Sequence, residues 1–376
     1  MRGVLVLILL AGCDAIFGVA PFEERTPADD AGPDGASTGC PGWFEALMAP
    51  SISEPVTSIA AAQLDGMPGD ELVVTTASGY VILSGEGAQY SSQSTFGLAF
   101  TPTEVLAVDL DGQRPDELVF VVRGANAIDV FGVGNGGAYD SIDGFDTGAQ
   151  PMSVVSGEID GAPGLDLAWV SNGNHRIEVA LRREGGFSSP QTAVDTGEEP
   201  VALAAGHLDG NSTLDFVAGW QSSLTTAIRA AAAYDGTDKN LGFSVIDLVL
   251  ADIDETPGDE VIVAVEGSLI LPVLRYVGGV LEPDLPISVL IQPERLAMRD
   301  LDGDADPELI VAGSSGDQNF IYVFQGAPGL TFSKVFEVPL TATAAAMTVD
   351  DLDDDGRPDL ALAASNGQLT VLRNCR

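Results

Sequence analysis

The residues best placed to do chemistry in this chain are acids at alternate positions in short loops. The sharpest case is Asp351-x-Asp353-x-Asp355-Gly356-x-x-Asp359. Oxygen donors at alternate positions, a glycine for the turn and a closing carboxylate suit Ca²⁺, which takes about six to eight hard oxygen ligands. Without a cation, carboxylates crowded in this way repel one another. The loop is not an EF-hand, which needs a glutamate at its twelfth position and flanking helices. Here the twelfth position is Leu362 and the flanks read as strands. The same arrangement recurs with Asp300, Asp302, Asp304 and Glu308, where Ala305 replaces the glycine. It recurs again with Asp252, Asp254 and Glu260 around Thr256, and with Asp109, Asp111 and Glu117 around Gln113. These four loops are the expected calcium sites. Three poorer versions carry His207, Asp209, Asn211 and Asp215; Glu158, Asp160, Ala162 and Asp166; and Gln63, Asp65 and Met67. A degenerate loop of this kind still serves as a hydrogen-bonded turn.

The elements that position these acids follow from their spacing. The shared aspartates are Asp65, Asp111, Asp160, Asp209, Asp254, Asp302 and Asp353, set 45 to 51 residues apart. A period in that range specifies a repeat architecture. Residues 148–197 illustrate one unit: an alternating strand runs into the acidic loop, DLAWVSN is nearly continuously apolar, HRIEVALRRE alternates, and a weaker fourth strand leads onward. Short strands between Gly, Asn and Asp turns, with no helical period, read as all-β. Four antiparallel strands repeated seven times predict a seven-bladed β-propeller over residues 41–376. The second strand of each unit, apolar on both faces, belongs between neighbouring sheets. The last unit ends after QLTVLRN and lacks a fourth strand. The segment Pro41–Pro50 has no repeat role of its own and is expected to supply that strand and close the ring, with Trp43 and Phe44 packing there. Cys40 and Cys375 lie at the two ends of the ring, where a disulfide would pin the closure.

The repeat resembles the FG-GAP/VCBS family, whose blades are also those of the integrin α-subunit head. Gly148-x-x-Pro151 and Gly197-x-x-Pro200 match the family's start, Asn172-Gly173 and Asn366-Gly367 its turn after the second strand, and Gly186-Phe187 its end. The resemblance covers 51–376 and rests on recurrence. It implies a seven-bladed propeller with Ca²⁺ between strands one and two of each blade.

The N-terminus reads as an address. Arg2 precedes an apolar run from Val4 to Ala11. That run is far shorter than the ~20 residues of a membrane-spanning helix, so residues 1–12 read as a signal peptide. Leu10-Ala11-Gly12-Cys13 resembles the lipobox of bacterial lipoproteins, which implies lipidation at Cys13 and attachment to the cell envelope. Residues 13–40, rich in Pro, Gly, Asp and Ala, read as a flexible tether.

A net charge of −40 repels phosphate backbones and argues against nucleic acid as a partner. The motifs that imitate catalysis lack context. Gly35-Ala36-Ser37-Thr38-Gly39 lies in the tether, and Gly132-x-Gly134-x-x-Gly137 joins two strands and opens no helix. The two histidines, His175 and His207, have no cysteine or serine partner at a telling spacing. The expected function is a non-catalytic, lipid-anchored binding module. By family analogy it presents the face opposite the acidic loops, including 171–176 and 221–226, to a protein or glycan. The alternatives are a carbohydrate-active enzyme, with a deep axial pocket of carboxylates and aromatics, and a purely structural envelope lipoprotein.

Overall fold

A computed structural model of the chain describes residues 42–86, 89–133, 139–231, 233–254, 256–327 and 331–376. The signal peptide, Cys13, the tether, Cys40, Gly134 and Gly137 lie outside the described residues.

The alternation in the second strands explains the architecture. Glu71–Thr76, Glu117–Val122, Asp166–Ser171, Asp215–Trp220, Glu260–Val265 and Asp359–Ala364 are buried along their whole length. Successive side chains of such a strand leave on opposite sides, so each strand serves two interfaces. Leu72 and Val74 pack with Ala361 and Ala363, whereas Val73 packs with Leu118 and Phe120. The same division continues around the molecule, giving one apolar cluster between each adjacent pair of sheets. Each fully buried Val, Leu or Ile contributes about 1.5–3 kcal/mol, and with no α-helix among the described residues to cover them these sheets bury both faces against one another around a ring.

Among the described residues the ring has seven four-stranded antiparallel blades. Blade one begins at Val56–Ala62, two at Glu104–Val108, three at Pro151–Gly157, four at Pro200–Gly206, five at Val245–Ala251, six at Gln292–Arg299 and seven at Ala344–Asp350. The outer strand of blade seven is Phe44–Leu47, paired with Leu369–Asn374 in the register Phe44↔Asn374 to Leu47↔Val371. The ring is therefore closed by the N-terminal segment, as the truncated last repeat requires. Trp43 and Phe44 are buried there, and the Arg376 guanidinium sits 4.4 Å above the Trp43 ring. The Cys375 N–H donates to the Trp43 carbonyl at 2.9 Å.

Two details depart from the expected unit. The third strand of blade three stops at Ala180, and the stretch expected to prolong it forms a separate hairpin, Arg182–Arg183 with Gly186–Phe187. Blade five adds a two-stranded sheet, Ile270–Leu271 with Ile287–Ser288, beside its shortened third and fourth strands.

Strand direction assigns the connections to two faces. All seven acidic loops, joining strands one and two, share a face with the turns between strands three and four. The opposite face carries the connections from strand two to three and from each blade to the next. Gly148 lies on that second face. A Cβ there would fall 2.7 Å from Glu178 Oε2, the buried carboxylate that accepts the Gly148 N–H at 2.8 Å and Trp169 Nε1–H at 3.1 Å. The first position of the Gly-x-x-Pro signature is thus fixed by close approach.

Candidate metal centres in the acidic loops

One contact is common to six of the loops, well-formed and degenerate alike, and blade four departs from it, its Asp215 Oδ2 being buried without a hydrogen bond. The closing acid accepts the N–H of the residue seven positions before it: Glu71 from Leu64 at 2.9 Å, Glu117 from Leu110 at 2.8 Å, Asp166 from Ile159 at 2.9 Å, Glu260 from Ile253 at 3.1 Å, Glu308 from Leu301 at 2.8 Å, and Asp359 from Leu352 at 3.1 Å. The closing carboxylate is first a clamp on the turn, which explains why it persists in the degenerate first loop. Backbone bonds also join some loops to the loop of the preceding blade: Asp116 N–H to Gln63 O at 3.0 Å, Leu165 N–H to Leu110 O at 3.0 Å, and Asp259 N–H to His207 O at 3.1 Å.

The length of the closing side chain decides the fate of its second oxygen. The shorter aspartates turn an oxygen onto the third strand or the chain just after it: Asp166 accepts Arg182 N–H at 2.6 Å, Asp215 accepts Arg229 N–H at 2.7 Å, and Asp359 accepts Asn374 N–H at 2.6 Å. The longer glutamates carry it into the loop, and in blades five and six Glu260 Oε1 and Glu308 Oε1 are buried without a hydrogen bond.

Five groups of three carboxylates converge to within 4.8 Å among the described residues: Asp109, Asp111 and Glu117; Glu158, Asp160 and Asp166; Asp252, Asp254 and Glu260; Asp300, Asp302 and Asp304; and Asp351, Asp353 and Asp355. The structure thus brings together most of the ligands expected from sequence. Glu308 and Asp359 stand just outside their triads, and the blade-three triad joins them as a group that sequence ranked low.

The shared aspartate separates the groups further. In blades one to five it caps the amide two residues on: Asp65 for Met67 at 2.8 Å, Asp111 for Gln113 at 3.0 Å, Asp160 for Ala162 at 3.0 Å, Asp209 for Asn211 at 3.2 Å, and Asp254 for Thr256 at 2.9 Å. In blades six and seven it does not. Asp300 and Asp351 do the capping instead, accepting the Gly303 N–H and the Gly356 N–H respectively, each at 2.7 Å. Asp302 Oδ1 and Asp353 Oδ1 are left buried with no hydrogen-bond partner. An ionised oxygen buried in this way is costly unless it meets positive charge. The donor set in these two loops therefore fits a hard divalent cation.

Burial, followed by the neighbouring acids, drives these carboxyls toward neutrality when no cation is bound. Glu308 is pushed up to about 8 by burial and then by Asp302, Asp300 and Asp304. Asp359 reaches about 8 and Asp351 about 6, with burial again the leading cause. Burial also raises the closing acids of blades three and five, Asp166 and Glu260, the latter to about 7, so these blades differ only at the shared aspartate, which is raised in Asp302 and Asp353. Although burial pulls upward, Asp160 and Asp254 lie below the usual aspartate range. Hydrogen bonds from Arg183 and Ala162 hold the first down, and those from Thr256 and Arg275 hold the second. Arg183 Nη2 meets Asp160 Oδ2 at 2.6 Å. Arg275 Nη2 pairs with Asp254 Oδ2 and lies 2.9 Å from Asp284 Oδ2, while its Nε lies 3.2 Å from Glu260 Oε1. In blade two, Asp109 and Asp111 both accept the Gln113 N–H, at 2.9 and 3.0 Å. His207 contributes ring Nδ1 to a contact with Thr213 O at 3.0 Å, a turn-stabilising role.

On the opposite face, a hollow of about 610 Å³ is lined by Phe100, Thr103, Val122, Arg123, Ala125 and Gln150 among others. Arg123 Nη2 donates to Gln150 Oε1 at 3.0 Å. No carboxylate lines this hollow.

Residues 300–374 match the model of the FG-GAP-like repeat. The match begins at Asp300 and takes in the loops of Asp302 and Asp353. No curated protein sequence matches the chain. Among solved structures, the chain is similar to BBS1N in complex with ARL6DN. The mercury-soaked crystal aligns at TM-score 0.64 and 14% identity over 89% of this chain and 97% of that one. The lead-soaked crystal aligns at TM-score 0.63 and 16% identity over 89% and 99%. At these identities the likeness is one of fold.

Proposed function

Taking the chain as a seven-bladed propeller with FG-GAP-like repeats, we propose that it is a non-catalytic binding module of the cell envelope, stabilised by calcium in the loops of blades six and seven. The observation that carries the calcium reading is the pair of buried, unpartnered oxygens at the shared aspartate, Asp302 Oδ1 and Asp353 Oδ1. Bound there, the cation would neutralise Asp300, Asp302, Asp304 and Glu308 in one loop and Asp351, Asp353 and Asp355 in the other. Its role would be to rigidify the turn.

The same proposal places residues 1–12 as a signal peptide, Cys13 as the lipidated residue and 13–40 as the tether, with the propeller occupying 41–376 at the membrane surface. The approach of Cys375 to Trp43 at the ring closure supports a disulfide with Cys40. The ligand, a protein or a glycan, would meet the face opposite the calcium loops. There the hollow beside Arg123 offers an apolar floor and a cation in a strongly acidic molecule. Its lining favours binding over glycoside chemistry, which needs a pair of carboxylates.

Differential scanning calorimetry of the exported protein tests the calcium reading. Calcium should raise the melting temperature and EDTA should reverse the rise. An unchanged melting temperature, in the wild type and in Asp302→Ala with Asp353→Ala, would reduce the loops to turns. A glycan array and a binding screen with and without Arg123→Glu test the face. Binding indifferent to that change would displace the ligand from it.

A further inference from the structure

We propose that Arg275 is a built-in cation that closes the blade-five loop to divalent metal. The loop has the acids of a metal site: Asp252, Asp254 and Glu260 converge as tightly as the triads of blades six and seven. The third strand of this blade, Val273–Val277, is registered so that Val261 faces Leu274, which sets Arg275 opposite Glu260. From there the guanidinium reaches Asp254 through Nη2, Glu260 Oε1 through Nε at 3.2 Å, Asp284 through Nη2 at 2.9 Å and Thr256 Oγ1 through Nη1 at 3.2 Å. Four oxygens from three parts of the blade thus gather around one fixed positive charge.

A guanidinium stays charged at any pH the fold survives and presents a planar fork of donors that matches carboxylates. Delivered by the same chain, it bears no cost of association, whereas a metal ion would have to expel it or sit beside a second cation. Blade six shows what the loop is without it. Leu309 faces Phe324, which puts Gln325 opposite Glu308, and the neutral amide reaches only Asp302 Oδ2 at 3.1 Å. In these two blades, which close on a glutamate, the position opposite it therefore separates a self-neutralised loop from one left open to metal; blade seven closes on Asp359, and the arginine in register there, Arg373, pairs with Glu45 on the ring-closing strand instead.

This inference rests on the reading that alternating carboxylates form a cation seat, and it extends that reading to a loop where the seat is taken. Equilibrium dialysis with radioactive calcium on the full exported chain tests it by counting ions per chain. Arg275→Gln should bind one ion more than the wild type, and Arg275→Gln with Asp254→Asn should return to the wild-type count. Asp254→Asn alone should leave the count unchanged. The proposal is overturned if Arg275→Gln gains no ion, or if Asp254→Asn alone loses one. Should Arg275→Gln fail to fold, the Asp254→Asn count decides by itself. A wild type that binds no calcium at all would refute the sites in blades six and seven, while a gained ion in Arg275→Gln would still uphold this proposal.

Discussion

Blades five and six carry nearly the same acids along the chain, yet those acids meet different neighbours. In blade five Asp254, Glu260 and Asp284 surround Arg275. In blade six Asp300, Asp302 and Asp304 converge with Gln325 at the edge, leaving Asp302 Oδ1 and Glu308 Oε1 buried and unpartnered. The loop motif itself does not distinguish a metal site from a structural ion pair. The distinction lies on the neighbouring strand, about 15 residues downstream, at a position that only the strand register identifies. In both blades the turn keeps the clamp from its closing acid, Glu260 on the Ile253 N–H and Glu308 on the Leu301 N–H.

The largest expected effect comes from breaking blade five. Arg275→Ala strands the fully buried Glu260 with Asp254 and should lower stability in EDTA by about 3 kcal/mol, the scale for removing one partner of a buried pair. Chemical denaturation measures it, and calcium should restore part of the loss. Next is blade six with blade seven. Asp302→Ala with Asp353→Ala should cost little in EDTA, because it removes repulsion. It should abolish the calcium-dependent gain, which is about 2.7 kcal/mol per site at a calcium concentration 100 times the dissociation constant. A smaller effect should follow from moving the blade-five solution into blade six. Gln325→Arg should raise metal-free stability by about 1 kcal/mol and remove one calcium-dependent increment, read by calorimetry with and without EDTA.

The last prediction is a control remote from the loops. Glu104, on the first strand of blade two, accepts the Ser153 N–H at 2.7 Å and the Val154 N–H at 3.1 Å from blade three. Burial outweighs those bonds and pushes its carboxyl up to about 7, from an ordinary 4.5. Because the folded value is the higher one, folding takes up a proton. The contribution to stability is fully present below 4.5 and is lost as pH rises through about 7. The melting temperature in EDTA should therefore fall between pH 5 and 7 less steeply in Glu104→Gln than in the wild type. Arg275→Ala should leave this part of the slope in place.

Much of the molecule is legible in the sequence because its determinants are local or periodic. The ring follows from the spacing of Asp65 through Asp353, the two-sided burial from runs such as Glu71–Thr76, and the closure from a last unit lacking its fourth strand. The acids of the loops are equally plain. What sequence conceals is which oxygens the backbone has already engaged. Asp209 and Asp353 occupy the same position, yet one caps an amide and the other does not. Arg275 is hidden for a related reason: the irregular stretch 266–272 between its strand and the preceding one blurs the register that places it opposite Glu260. The blade-three hairpin at Arg182–Phe187 is masked in the same way, since its residues continue the alternation of the strand before it.

The central claim is that the loops of blades six and seven hold divalent cations and the loop of blade five does not. A crystal structure grown in calcium tests it most directly. The account predicts one strong cation peak beside Asp302 Oδ1, a second beside Asp353 Oδ1, and the Arg275 guanidinium still seated between Asp254 and Glu260. A cation between Asp254 and Glu260 with Arg275 turned outward, or no cation at either Asp302 or Asp353, would contradict it.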